Sequence, residues 1–329
     1  MRVCFLVHKG FDLRYRCLEY MDSFKEHGVE VDVLRVEGNL LKRYANFFRL
    51  GGYDVVIIQR KVLSSLDGFA VRKMAGSVIF DFDDAIMYRS SKWGDPHSPS
   101  KMERFERMIR MSDRVFAGNS FLKAEAARFT SEGNVAVVPT VVDLKKYSLK
   151  DYDRAGDTVT IGWLGSGGTI PYLEGLKPAL EKLGERYPNV RLKIVCDRFF
   201  DCDNMEVVKK QWSADDEVED LKSFDIGVMP LTDDIWTRGK CGLKLLQYMG
   251  VGLPVVCSPV GANRDIVADG VNGFWASTED EWVEKLSTLV EDAVLRRRMG
   301  MAGYERVRDS YSVEAVFPTI LNVVRELAA

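Results

Sequence analysis

Short apolar runs recur along the chain, each closed by a polar or glycine-containing loop. Residues 3–7 (VCFLV) form the first and end in His8, Lys9 and Gly10, as a buried parallel strand would. Helical spacing follows from about Leu13 to His27, with Leu18, Met21, Phe24 and Lys25 on neighbouring turns and Gly28 as the stop. Residues 29–36 alternate apolar and polar as a second strand, a helix is expected near 39–50, and 54–59 (DVVIIQ) is a third strand. A short helix near 66–75, a strand at 77–84 (SVIFDFDD), a helix over roughly 99–112, a strand at 113–119, a helix at 120–129 and a strand at 134–140 complete a first unit. Strands alternating with helices predict an α/β fold built on a doubly wound parallel sheet.

Residues 141–158 lack periodicity and read as a linker. The pattern then restarts: strand 159–165, helix from Thr169 to Tyr187, strand 190–197, a short strand or turn near 203–212, helix 214–223, strand 225–231, helix from Gly242 to Gly250, strand 253–259, then helices near 262–268, 278–291 and 292–310. The expected organisation is a first domain over 1–150, a second over 151–311, and a tail over 312–329. The tail is amphipathic, with Val316, Ile320, Val323, Val324 and Leu327 at helical spacing. It either packs on the second domain or returns to the first; the return is the expectation carried forward.

A chain of 329 residues exceeds one ordinary core, and its 46% hydrophobic and 29% charged content suits a globular protein. A net charge of −3 argues against bulk nucleic-acid binding. The six cysteines include no CxxC pair, so reduced thiols in a cytoplasmic protein are expected rather than disulfides. Met1 and Arg2 lead straight into a strand, and no apolar run reaches the roughly 18 residues of a membrane helix. The expectation is a soluble protein, at most peripheral at the cytoplasmic face of the membrane.

In open parallel sheets ligands bind beyond the carboxyl ends of the strands. There the second domain carries Gly165, Ser166, Gly167, Gly168 and Thr169, which let backbone approach a phosphate before a helix starts; a plain strand-to-helix turn explains them equally well. Arg238, Lys240 and Lys244 cluster around Gly239 and Gly242. Lys244 falls in a first helical turn, where a cation opposes the helix dipole, and this points to an anion beside it. Gln247 lies on the same helix face; a solvated basic turn is the alternative. In the first domain Asp81, Asp83 and Asp84 follow the fourth strand. They suit a metal, sugar hydroxyls, or pairing with Arg89 and Lys92, and the last two readings are preferred.

Eight blocks, in order, resemble a bacterial branch of the family 4 glycosyltransferases: FDFDDA at 80–85, AGNSFL at 117–122, VVPTVVD at 137–143, GWLGSGGTIPYL at 162–173, FDIGVMPL at 224–231, GKCGLKLLQYM at 239–249, GLPVVCSPVGAN at 252–263 and GVNGFWA at 270–276. The resemblance implies the GT-B fold, two Rossmann-like domains facing across a cleft. It also implies transfer of a sugar, with retention, from a nucleoside-diphosphate donor on the C-terminal domain to a glycan or lipid-linked acceptor on the N-terminal domain, without metal or other cofactor, in cell-surface polysaccharide synthesis. The family's paired glutamates align with Lys240 and Gln247, as in a branch with a GKCGxK signature. Its usual arginine and lysine after the first strand of the second domain are replaced by Leu164 and Ser166. Lys240 and Lys244 are then expected to carry the charge of catalysis. Asp83 and Asp84 would position acceptor or sugar. Trp212 and Glu217 would border the nucleotide base and ribose, with Trp212 equally readable as core.

Acceptor-side candidates are His8, Arg14, Arg16, Arg60 and Asn119, with Lys61 beside them. Residues 40–50 place Leu40, Tyr44, Phe47 and Phe48 near one face, and Lys101, Arg104, Arg107, Arg110 and Arg114 form a basic stripe. Either these meet an anionic membrane surface or they are a buried amphipathic helix and a solvated charged face. Two rival readings stay open: a catalytically silent or epimerase-like GT-B sugar-nucleotide binder, and a haloacid dehalogenase-type phosphatase with Asp81 as nucleophile.

Overall fold

A computed structural model describes residues 1–8, 12–36, 39–154 and 156–329; Lys9 and Gly10 of the first loop fall outside these. The chain forms two compact units. The first contains Met1–Val141, Asp234–Cys241 and Val313–Ala329; the second contains Val142–Asp233 and Gly242–Ser312.

Unit one runs β1 (Arg2–Val7), α1 (Asp12–Arg16), α2 (Met21–Glu26), β2 (Glu30–Arg35), α3 (Leu40–Arg49), β3 (Val55–Gln59), α4 (Ser65–Met74), β4 (Ser77–Phe82), α5 (Pro99–Met111), β5 (Arg114–Ala117), α6 (Ser120–Ala127) and β6 (Val135–Val137). The strands pair in parallel in the order β2-β1-β3-β4-β5-β6. The central β1, β3 and β4 are continuous apolar runs because helices cover both faces. Phe80, Phe82, Phe105 and Ile109 fill one face, and Phe5, Phe24, Ile57 and Phe317 the other.

Unit two runs β7 (Val159–Leu164), α7 (Ile170–Glu174), α8 (Lys177–Arg186), β8 (Val190–Val195), β9 (Glu206–Lys210), α9 (Glu217–Lys222), β10 (Ile226–Met229), α10 (Leu243–Gly250), β11 (Val255–Cys257), α11 (Asn263–Ile266), β12 (Gly273–Trp275), α12 (Glu279–Glu291) and α13 (Ala293–Ser310). Its parallel sheet has the order β12-β11-β10-β7-β8-β9. The chain closes with α14 (Val313–Ala328), counted with unit one. There Phe317 meets the Phe24 ring edge-on at 4.9 Å, burial of a kind that contributes roughly 1.5–3 kcal/mol per large apolar side chain.

Three elements differ from the sequence pattern. The helix expected from Leu13 to His27 breaks at Cys17, whose φ of −136° is not helical, and a 3₁₀ turn separates α1 from α2. The break turns Arg16 inward. The helix expected from Thr169 to Tyr187 divides after Glu174, because Pro178 in the first turn of α8 cannot continue a hydrogen-bond ladder. β12 was not foreseen as a strand: three residues are too few for a period, and pairing with β11 defines it.

Candidate functional site

Unit one places its three aspartates at the carboxyl end of β4. Asp81 is 2% exposed and forms a bidentate pair with the equally buried Arg16, whose Nε lies 3.1 Å from Asp81 Oδ2. The third guanidinium nitrogen of Arg16, Nη1, donates to Val138 O at 2.5 Å. Burial works against the Arg16 charge, but the Asp81 carboxylate outweighs it and holds the guanidinium above its ordinary value. Asp81 so engaged cannot serve as the nucleophile that the phosphatase reading requires. Arg16, expected on the acceptor side, is an internal counter-ion.

Asp84 is gripped from two sides. Arg60 pairs with Oδ2, and Lys240 Nζ donates to Oδ1 at 2.8 Å. Arg60 Nε also stands 3.8 Å from Asp83 Oδ1. The partners of this cluster are thus Arg16, Arg60 and Lys240 rather than Arg89 and Lys92. Arg60 reaches the cluster from the end of β3 with φ of +55°, a left-handed conformation that a side chain adopts only under compulsion.

Lys240 arrives on residues 234–241. Asp234 Oδ1 accepts from the backbone N–H groups of Trp236 and Thr237 at 2.9 and 3.0 Å, setting a 3₁₀ turn. Asn119 caps α6, accepting from Leu122 N at 2.8 Å, and its amide donates to the carbonyls of Arg238 and Lys240 at 3.2 and 3.1 Å. Lys240 Nζ also lies 4.9 Å from the Trp236 ring centroid. Cys241 Sγ donates to Asp83 O at 3.2 Å, and burial beside Asp83 pushes that thiol well above its ordinary value. Asn119 therefore braces this segment, and the side chain of Arg238 is exposed.

Lys244 belongs to unit two. Gly242 begins α10 at φ +70°, and a Cβ there would stand 2.2 Å from Ile266 Cδ1, so only glycine fits. Among the described residues no side chain caps α10, and Lys244 lies in its first turn. Lys244 Nζ sits 5.2 Å from the centroid of the buried Trp163 ring. Gly165 packs against the same indole; a Cβ on it would be 2.3 Å from Trp163. Trp163 thus ties Lys244 to the glycine loop.

Within that loop Gly167 N–H donates to Asp197 Oδ1 at 2.5 Å, which holds the carboxyl below its ordinary value. Arg198 lies over Gly167. Ser166 and Gly168 are exposed, and Thr169 Oγ1 donates to Ser166 O at 3.1 Å. The helix that follows, α7, has only 5 residues, so its dipole adds less than a long helix would. In the sequence Asp197 and Arg198 are no more than polar residues at the end of the strand expected over 190–197.

Gln247 and Glu217 are buried at 1% and 0% exposure. Glu217 accepts from Trp212 Nε1 at 3.2 Å and from Tyr147 Oη at 3.2 Å, and Gln247 Nε2 donates to Tyr147 Oη at 3.5 Å. These bonds fasten α9 and α10 from inside. Tyr147, in the stretch read as linker, is the hub of this network.

A cavity of about 760 Å³ opens in unit one, lined by His8 at the end of β1, Arg43 of α3, Lys61, the start of α4, and Arg104 and Arg107 of α5. The basic stripe of the sequence divides here: Lys101 donates to Tyr88 O, Arg110 pairs with Glu106, and Arg114 with Glu326, leaving Arg104 and Arg107 to the cavity. Arg14 pairs with Glu19 at 3.3 Å. Of residues 40–50 only Phe47 and Leu50 are buried, whereas Leu40, Leu41 and Phe48 are 65%, 82% and 68% exposed. Among the described residues no helix is long and apolar enough to cross a membrane.

Residues 166–292 match the family model described as glycosyl transferases group 1. No curated protein matches the chain by sequence. Among solved structures, Anabaena Alr3699/HepE in complex with UDP and glucose superposes with a TM-score of 0.73 at 14% identity, over 99% of both chains. Sucrose-phosphate synthase from Thermosynechococcus elongatus gives 0.74 at 15%, over 99% of this chain and 98% of that one. The lipopolysaccharide outer core galactosyltransferase WaaB gives 0.69 at 15%, over 99% of each. The chain has the GT-B fold of these glycosyltransferases, and its residues 166–292 carry the glycosyl transferases group 1 pattern.

Proposed function

We propose that this chain is a retaining glycosyltransferase, of the branch with a GKCGxK signature in family 4, that moves a sugar from a nucleoside-diphosphate donor to a glycan or lipid-linked acceptor in surface polysaccharide synthesis. The observation that carries the reading is Lys244 standing against Trp163 beside the glycine loop, in the first turn of a helix that no side chain caps among the described residues. A glycosidic bond to diphosphate breaks with its electron pair on the leaving phosphate oxygen. Lys244, the first-turn N–H groups of α10 and the loop backbone would stabilise that charge in the transition state, with no metal needed for it. The acceptor hydroxyl oxygen bonds to the anomeric carbon on the same face, and its proton passes to the departing phosphate oxygen. UDP in the Anabaena structure supports a nucleotide-sugar donor here.

Asp83 and Asp84, steadied by Arg60 and Lys240, would position the acceptor on unit one. Exposed Leu40, Leu41 and Phe48 support peripheral contact with the cytoplasmic face of the inner membrane. A silent sugar-nucleotide binder is the second reading, favoured by one observation: Gln247, at the place of a family glutamate, is buried and bonded to Tyr147. A panel of nucleotide-sugars, with release of nucleoside diphosphate as readout, separates the two. Slow hydrolysis of one donor supports the enzyme; tight donor binding with no release supports the silent binder.

A further inference from the structure

We infer that the cavity of unit one is an anion site that holds a phosphate group of the acceptor. The inference rests on the glycosyltransferase reading for the word acceptor, and on the cavity itself for the anion. At about 760 Å³ it lies within the range of small-molecule sites. Four of its lining residues are cationic (Arg43, Lys61, Arg104, Arg107) and two are carboxylates (Asp67, Glu103), an excess of two positive charges before His8 is counted.

The carboxylates do not quench the set. Asp67 faces Arg43 at 3.3 Å, and Glu103 stands 4.0 Å from Arg107. Lys61 and Arg104, from different segments, have no ion-pair partner among the described residues. The facing atoms of the first pair, Arg43 Nε and Asp67 Oδ1, are buried without a hydrogen-bond partner among the described residues. Ser64 and Ser65 at the start of the 10-residue α4 bring helix N–H groups to the same wall. Four cations from two helices and a loop, converging with the N–H groups of a third helix, suit a doubly charged group with oxygens on several sides. A neutral sugar would leave Lys61 and Arg104 without a counter-charge.

Two sources present such a group: a soluble phosphorylated sugar or a lipid-borne diphosphate. Exposed apolar residues on α3 and α4, two helices that contribute to the cavity lining, distinguish them experimentally. Leu41 and Phe48 of α3 and Leu66 and Phe69 of α4 are all at least 65% exposed, and α3 is joined to α4 by the Arg43–Asp67 pair.

Inorganic pyrophosphate titrated calorimetrically is the probe. Lys61→Ala and Arg104→Ala should each weaken binding about 10-fold, and the double variant about 100-fold, since each removes one charge-assisted hydrogen bond and a tenfold loss is about 1.4 kcal/mol. Arg110→Ala, on the same helix but outside the cavity, should bind as wild type, and thermal melts establish that each variant folds. Co-sedimentation with phosphatidylcholine vesicles carrying phosphatidylglycerol, lost in the double variant and in Leu41→Ser/Phe48→Ser, assigns the phosphate to a lipid. Pyrophosphate binding without sedimentation assigns it to a soluble acceptor. Absence of saturable pyrophosphate binding, or wild-type affinity in the double variant, overturns the site. Donor hydrolysis is read separately, so the anion site and the glycosyltransferase reading fail by different results.

Discussion

Lys240 Nζ lies 2.8 Å from Asp84 Oδ1, across 156 residues of chain. Four positions later Lys244 belongs to unit two and stands over Trp163. Two lysines that look like one basic cluster therefore serve different surroundings. The Lys240 and Asp84 side chains are 22% and 11% exposed, so screening limits the pair to about 1 kcal/mol of stability. Lys240→Ala should fold normally yet lose most turnover, because Asp84 and residues 234–241 both lose a tether. A double-mutant cycle with Asp84→Ala should show coupling of about 1 kcal/mol in urea unfolding; additive losses would mean that the contact contributes nothing.

The Arg16–Asp81 pair behaves differently, because both partners are buried. Removing one leaves an uncompensated charge, at a cost of about 3–5 kcal/mol. Arg16→Met should unfold at much lower denaturant, whereas Arg16→Met with Asp81→Leu should recover a large part of the loss. A double variant as unstable as the single would show that the pair does more than neutralise itself.

Arg60 offers a test of backbone strain. Its φ of +55° disfavours any Cβ. Arg60→Ala and Arg60→Gly lose the same ion pairs, but glycine removes the strain. Arg60→Gly should be more stable than Arg60→Ala by about 1 kcal/mol in chemical denaturation. Equal stabilities would place the strain elsewhere.

The glycine loop should respond to acid. The hydrogen bond from Gly167 N–H, with smaller help from Cys196 and Arg198, holds Asp197 below its ordinary value of 3.8. A depressed carboxyl contributes stability that is present above the unfolded pKa and is lost as pH falls through the folded one. The Gly167 amide should therefore stay protected from exchange down to pH about 4 and lose protection below that. Asp197→Asn should abolish this acid step; a step unchanged in that variant would assign it to another group.

Much of this molecule is legible along the chain. The buried runs at β1, β3, β4 and β7 announce parallel strands because each is apolar on both faces. Lys244 is noticeable because it stands against its local preference. Local pattern is blind to pairings such as Arg16 with Asp81, 65 residues apart, and to the break at Cys17 that makes the pairing feasible. It also hides Tyr147, a buried hub in a stretch whose polar neighbours look like a linker. Sequence adjacency actively misleads at Lys240, where contacts with Asp84 and Asn119 decide which unit the residue serves.

The central claim is that positive charge and backbone on unit two stabilise a departing nucleoside diphosphate. The direct measurement is release of nucleoside diphosphate from a panel of nucleotide-sugars by wild type and by Lys244→Ala, with thermal melts to establish folding. Wild type should slowly hydrolyse one donor, and the variant should do so about 100-fold more slowly, the loss expected when one preorganised donor to a transition-state charge is removed. Wild-type rates in Lys244→Ala, or no release from any donor, would contradict the account.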